Sequence, residues 1–382
     1  MDVENRHSRD HTVLRCGRVQ LRRLRSLDVF RGLTVAGMVI VNNPGDWSTV
    51  YWPLLHAEWH GWTPTDLIFP FFLFIVGVAI TLGRNATRVS TMLRRGAIIW
   101  GLGLFLAAFP FFRLTTLRIP GVLARIAWCY VAAALITRVC APGERRHRAI
   151  GAVIAILLVG YWITLAALPF PGGTTGDLSP AGNIGAWLDR TLLGGHLWKA
   201  DWDPEGVLST VPAIGTTLLG VLAGWLMQEA PSPRSTVRCL LVWGLAGVLA
   251  GLAWSVWFPI NKSLWTSSYV LFTAGLASCS LAICYWICDA RETPTAQKIT
   301  EPFVALGRNA ILLFVLSGLL AKTLIYLKWP DPSMSLGRWI YLSAFTPLAP
   351  PHVASLLFAL ANLLVLYLIL ATLHRRKIYL TV

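Results

Sequence analysis

The sequence predicts an all-α fold: a polytopic helical membrane protein with about ten transmembrane helices and both termini in the cytoplasm. Three observations carry this prediction. The mean hydropathy is +0.60 and only 13% of residues are charged, roughly half the charged fraction of an ordinary soluble domain. Apolar runs long enough to cross a bilayer recur along the whole chain. Arginine and lysine gather on alternate connections between those runs, the pattern of cytoplasmic loops.

The basic clusters are Arg22, Arg23 and Arg25; Arg84, Arg88, Arg94 and Arg95; Arg138, Arg145, Arg146 and Arg148; Arg234 and Arg238; Arg291 and Lys298; and Arg375, Arg376 and Lys377. A net charge of +15 on a soluble chain would suggest a nucleic-acid partner. Here the cations are spread over short loops rather than assembled on one reading face, so membrane lipids, and no nucleic acid, are the expected surroundings. The seven cysteines (16, 129, 140, 239, 279, 284 and 288) suggest no disulfide framework. Cys284 and Cys288 share a helix face and read as buried small side chains rather than metal ligands. The polar first twenty residues have no apolar run before a small-residue site, so a cleaved signal peptide is not expected.

In chain order, residues 1–24 form a cytoplasmic basic segment, 25–374 the transmembrane domain and 375–382 a basic tail. Helices are expected at about 27–45, 64–83, 93–112, 120–140, 148–168, 208–228, 236–258, 265–288, 302–325 and 352–373. Pro70 should free a backbone carbonyl in the second and kink it. The Gly- and Pro-rich connection at about 169–206 holds Asp177, Asn183, Asp189, His196, Asp201, Asp203 and Glu205, and suits an outer lid or acceptor loop containing short amphipathic pieces. Ser263 is a candidate cap for the eighth helix. Glycines in the helix interiors would permit close packing.

The polar loop between the first two helices concentrates the candidates for chemistry. His56 suits a general base, because imidazole titrates near neutrality. Asp66, ten residues on, either orients it or caps the second helix. Glu58, Trp59 and His60 stand beside it; His56, Glu58 and His60 at i, i+2 and i+4 are weighed as a zinc site and set aside, since no further ligand motif supports them. Asn42 and Asn43 end the first helix at the same level and either hold a substrate or stop the helix. Lys262, near Ser267, is an oxyanion stabiliser or a snorkelling interfacial lysine. At the other end, Asp28 and Arg31 (i, i+3) form an ion pair, or Arg31 meets a phosphate; Arg94 and Arg95 are membrane anchors or phosphate contacts. Arg125 and Arg308, with Asn309, fall inside helices, where a charge requires a partner or a water-filled cavity. Arg113 and Arg118 sit on the outer side against the charge rule and suggest an anionic ligand.

The stretches SLDVFRG (26–32), NNPG (42–45), HAEWHGWTPTDLIFPFFLFIVG (56–77), RIPGVLARIA (118–127), DPEGVLSTVPAIGTTLLGVLAG (203–224), FPINKSLWTSSYVLFTAG (258–275), LGRNA (306–310) and HRRKIYL (374–380) resemble the heparan-alpha-glucosaminide N-acetyltransferase family, in its bacterial branch. The resemblance covers almost the whole membrane region and implies a member without the family's large luminal N-terminal domain. It implies transfer of an acetyl group from cytosolic acetyl-CoA to the amino group of a glucosamine-like sugar on the outer face, and, as in the lysosomal relative, a homodimer. The family's essential histidine, in the motif HAxWxG, corresponds to His56, its helix-two aspartate to Asp66, and its asparagine before the glycine turn to Asn42 or Asn43. Where the lysosomal form has asparagine, this chain has His60.

The expectation is therefore a transmembrane acetyltransferase of a bacterial inner membrane. His56, Asp66 and Asn43 are its catalytic candidates. Arg31, Arg94, Arg95, Arg125, Lys262, Ser267, Arg308 and Asn309 are the donor-binding candidates, Asn42, Glu58, Trp59 and His60 line the acceptor side, and no metal is expected. The rivals are an O-acetyltransferase acting on an envelope glycan and, as a different class, a transporter using Arg125, Arg308 and the kinked helix.

Overall fold

The computed structural model describes residues 24–83, 88–140, 145–291 and 293–380. Most of the N-terminal segment, with Cys16, Arg22 and Arg23, lies outside the described residues, as do Arg84 and the last two residues of the tail. The protein is a helical bundle: α1 (Arg25–Asn42), α2 (Ile68–Leu82), α3 (Val89–Ala108), α4 (Val122–Cys140), α5 (Arg146–Ala167), α6 (Ile184–Leu193), α7 (Val207–Glu229), α8 (Pro233–Trp254), α9 (Ser267–Tyr285), α10 (Pro294–Arg308), α11 (Ala310–Tyr326), α12 (Leu336–Ile340) and α13 (Pro351–Arg375). Among the described residues, eight helices are long and apolar enough to cross a membrane, or nine if α10 and α11 form one broken span. The eighteen-residue α1 is not among these; it carries Arg25, Asp28 and Arg31.

Small residues let the central helices approach closely, the usual packing solution where lipid supplies no hydrophobic drive between helices. A Cβ placed on Gly77 of α2 would lie 1.9 Å from the Thr217 carbonyl oxygen of α7, and one on Gly220 of α7 would lie 2.1 Å from that of Phe74. Gly32 and Gly307 do the same for α1 against α10. The core thus assembles α1, α2, α7, α9 and α10 around buried Phe30, Phe74, Ile75, Val78 and Leu281. α5 and α8 keep broad apolar exposure, including Ile156, Trp243 and Leu249, as lipid-facing helices do.

Two elements differ from the sequence expectation. The helix predicted over about 302–325 is broken at Asn309 and bent by 74°. Asn309 leaves helical geometry (φ −119°, ψ 35°), and its side chain binds the C-terminal tail instead, accepting from Leu380 N at 2.9 Å and donating to the Ile378 carbonyl at 3.3 Å. Arg308 and Asn309 therefore sit at a break, not two turns inside a helix. The eighth predicted helix begins at Ser267 with Thr266 before it; Ser263 is in the preceding turn and caps nothing. Pro70 falls in the first turn of α2, which continues a 3-10 turn, Pro64–Leu67. A proline there sacrifices little helix bonding. The connection at about 169–206 contains the amphipathic α6, capped by Asn183, whose Oδ1 accepts from Ala186 N at 2.9 Å.

Candidate functional site

Asp66 makes both contacts its position allowed, to His56 and to the start of the helix. Oδ2 accepts from Thr63 N at 3.0 Å, closing a capping box at the start of the 3-10 turn, and from Ala57 N at 3.0 Å. Oδ1 lies 2.7 Å from His56 Nδ1. The carboxylate is buried, at 1% side-chain exposure, whereas His56 is half exposed. A fixed acceptor at Nδ1 selects the tautomer with its proton there and leaves Nε2 as the basic nitrogen. The backbone carbonyl of Asp66 is held in turn by Tyr269 Oη of α9 at 2.5 Å.

Lys262 comes to the same place from a loop about two hundred residues further on. Its Nζ is 3.5 Å from Asp66 Oδ1 and lies over the imidazole edge, 2.9 Å from His56 Nδ1 and 3.3 Å from Nε2. Asn261 sets this approach: Nδ2 donates to the Trp59 carbonyl at 2.8 Å, Oδ1 accepts from Leu264 N at 2.8 Å, and the adjacent Ile260 carbonyl accepts from Gly61 N at 2.8 Å. Trp265 anchors the turn from below. It is buried with a positive φ of 54° and donates from Nε1 to Thr216 Oγ1 at 3.1 Å. A bulky residue in that backbone region is uncommon and persists only where its surroundings enforce it. Burial pushes the Lys262 ammonium below the usual lysine range, against the opposing pull of Asp66.

A cavity of about 170 Å³ opens beside these groups; its walls include His56, Lys262, Asn42, Thr65, Glu205 and Phe72. A second, of about 210 Å³, lies at the opposite end of α2, and its polar walls are Arg31, Arg95 and Arg308. Phe72 and Ile126 belong to both. From Thr65 in one to Gly83 in the other, α2 rises roughly 27 Å, close to the thickness of a bilayer's hydrocarbon core. Asp28 organises the arginine end, with Oδ1 3.4 Å from Arg31 Nη1 and Oδ2 3.5 Å from Arg308 Nε. Guanidinium groups on a cavity wall are the chemistry suited to an anion.

The structure thus gathers His56, Asp66, Lys262 and Asn42 at one end and Arg31, Arg95 and Arg308 at the other, and distributes the remaining candidates elsewhere. Asn43 donates to the Val39 carbonyl at 2.7 Å and contacts Ser317 Oγ at 3.3 Å, a helix-ending and helix-joining position outside the cavity wall; Asn42 is the amide facing the cavity. Ser267 Oγ donates to the Leu158 carbonyl at 2.7 Å, a packing bond. Arg94 and Glu58 are exposed. Trp59 bonds the Leu178 carbonyl and packs edge-on to Trp202, tying the long loop to the histidine loop. His60 Nδ1 is 3.4 Å from Asn261 Nδ2, and burial lowers its pKa. Arg125 is fully buried beyond both cavities, 5.0 Å above the Trp265 ring, and donates to the Gly206 carbonyl and Ser209 Oγ. No cluster of three or more His, Cys, Asp or Glu side chains able to hold a metal occurs among the described residues.

Arg118 faces two carboxylates of the chain itself. It holds Asp203 in a fork at 2.8 and 2.6 Å and Glu205 Oε2 at 2.5 Å, which is why a cation is tolerated on that side. Sequence reasoning passed over Asn261 and Lys322. The latter interrupts the apolar run of α11 and donates to the Leu106, Ala107 and Phe109 carbonyls, satisfying the end of α3. A lone lysine in an apolar run was the available signal.

Fold and site together define a polytopic helical membrane protein with a histidine–carboxylate pair at one mouth of two adjoining cavities. The family model described as heparan-alpha-glucosaminide N-acetyltransferase, catalytic, matches residues 23–238, which include His56 and Asp66. The chain belongs to the heparan-alpha-glucosaminide N-acetyltransferase family. It is 30% identical over 356 residues to the human protein of that name, covering 77% of this chain and 52% of the human one. To the mouse protein it is 31% identical over 353 residues, covering 77% and 53%. The chain thus spans about half the length of the curated relatives it matches.

Proposed function

We propose that the protein transfers an acetyl group from acetyl-CoA, bound from the cytoplasmic side, to the amino group of a glucosamine-like sugar on the outer face of a bacterial cytoplasmic membrane. The observation that carries this reading is the His56–Asp66 pair at 2.7 Å, beside a cavity that adjoins an arginine-lined one at the opposite end of α2. Arg31, Arg95 and Arg308 suit the phosphates of the donor. The apolar walls around Phe72 and Ile126 suit its pantetheine arm, which brings the thioester to the His56 end. His56 Nε2 takes a proton from the attacking nitrogen, and Asp66 holds the imidazolium that forms. Lys262 and the Asn42 amide stabilise the negative charge developing on the carbonyl oxygen. His56 then gives its proton to the departing sulfur, so transfer is direct, in a ternary complex, with no acetyl-histidine required.

The test is acetyl transfer from labelled acetyl-CoA in proteoliposomes, with glucosamine or envelope sugars supplied on the side of the His56 loop. Wild type labels glucosamine; His56→Ala binds acetyl-CoA and transfers none. Turnover that survives His56→Ala removes the histidine from the chemistry, label on sugar hydroxyls alone makes the enzyme an O-acetyltransferase, and solute flux without CoA binding makes it a transporter.

A further inference from the structure

Acetylating an amine raises a proton problem that the His56–Asp66 pair does not solve alone. An amino sugar arrives mainly as R–NH3⁺ when its pKa is about 8, as for an α-amino group, and two protons must leave its nitrogen as the N–C bond forms and the C–S bond breaks. One ends on the sulfur of CoA; the other is released. Asp66 is committed to Ala57, Thr63 and His56. Among the described residues, Glu205 is the carboxylate in the wall of the His56 cavity.

We infer that Glu205 is a catalytic residue for amine acceptors: it seats the acceptor ammonium in the His56 cavity, takes its first proton and keeps it until the N–C bond has formed, and only then releases it to outer water, so that His56 has only the second to carry to sulfur. Glu205 is 7% exposed and stands two residues before α7, next to its N-cap Gly206. Arg118 donates to Oε2, while Oε1 has no hydrogen-bond partner among the described residues. Arg118 itself stays paired through its fork on Asp203, so the carboxylate is held in place with one oxygen free. The charged and titratable groups around it are Arg118 and Asp203, Arg125 of α4, Lys262 and His56 across the cavity, and Asp189 of α6. A carboxylate oxygen without a partner is an acceptor for the N–H groups of an ammonium. A hydroxyl acceptor has one proton to lose and needs no such group.

This inference rests on the acetyltransferase reading, and its test separates the two. The kcat/KM of glucosamine acetylation is measured against pH for wild type and Glu205→Gln, with melting in the presence of acetyl-CoA to confirm folding and donor binding. In wild type the rate is nearly level below the acceptor pKa. In Glu205→Gln it falls about tenfold for each pH unit below that pKa and converges on wild type above it, because only the neutral amine then reacts. Profiles that run parallel, or no loss, overturn the role. Glu205→Ala with added formate is the second probe: restoration of the rate supports proton acceptance, and absence of rescue in the folded variant counts against it. If wild type acetylates no amine at any pH, the acetyltransferase reading falls and this inference falls with it; if wild type does so and Glu205→Gln matches it, the inference alone falls.

Discussion

Asp66 Oδ1 lies 2.7 Å from His56 Nδ1, and the same carboxylate closes the capping box that starts the second membrane helix. One side chain thus fixes both the imidazole tautomer and the backbone that carries it. Replacing Asp66 by Asn removes the negative charge that favours the imidazolium and allows the other tautomer. Acetyl transfer should fall by about 10²–10⁴-fold, the usual worth of positioned acid–base catalysis, while acetyl-CoA binding is retained. Rates and donor affinity measured on one detergent preparation check this, and a parallel loss of both contradicts it.

In the proposed reaction Lys262 should set the alkaline limit of activity. Burial places its pKa below the ordinary 10.5, so the charge proposed to stabilise the oxyanion should disappear at a pH where an exposed lysine would still be protonated. Lys262→Arg should move the alkaline limb of the kcat profile upward, since guanidinium stays charged, and Lys262→Met should cost about 10²-fold at neutral pH. The stability sign is opposite. The fold disfavours the charged form, so the unfolded chain binds more protons between the lowered pKa and 10.5, and wild type gains stability relative to Lys262→Met as pH rises through that window.

Phe72 stands where the two cavities meet. Phe72→Trp should obstruct the donor arm and reduce transfer at least tenfold. Binding of adenosine 3′,5′-bisphosphate, which needs only the arginine end, should be unchanged. If transfer continues at the wild-type rate, the donor takes another route.

Asp189 gives a pH-dependent prediction for the outer loop. It is 4% exposed, accepts from Val207 N at 2.8 Å, and its pKa is pushed up to about 6, chiefly by burial. A raised carboxyl pKa contributes stability below about pH 4 that is lost as pH rises through 6. Asp189→Asn keeps an oxygen acceptor without the buried charge. It should melt higher than wild type above pH 6, by the equivalent of about 3 kcal/mol for a shift of roughly two units, with the advantage gone at pH 4.

Much of this was legible in the sequence because hydropathy and charge operate locally. The helices about 64–83, 120–140, 148–168 and 208–228 emerge within a few residues of their places, and His56 and Asp66 are close enough in sequence for one loop to join them. What was hidden depends on partners far along the chain. Nothing local shows that Asn309 abandons helical geometry to bind Leu380, that Arg118 spends its charge on Asp203 and Glu205, or that Asn261 stitches the Lys262 loop to Trp59. The choice between Asn42 and Asn43 was invisible for another reason: adjacent helical residues point about 100° apart, and only the packed bundle decides which meets the cavity and which meets Ser317.

The residues shared by the two cavities, Phe72 and Ile126, are both apolar. A passage through a membrane that carries an ion gradient has to behave as an insulator as well as a conduit. Each elementary charge that leaks is driven by about 2.3 kcal/mol per 100 mV. A hydrocarbon collar offers a hydrated ion or proton no oxygen to exchange for its water, while a flexible, uncharged arm slides along it with little loss. On the proposed reading such a collar would let a neutral group pass from one cavity to the other without short-circuiting the membrane's electrical potential, and enlarging it should show first as conductance, before any change in the chemistry.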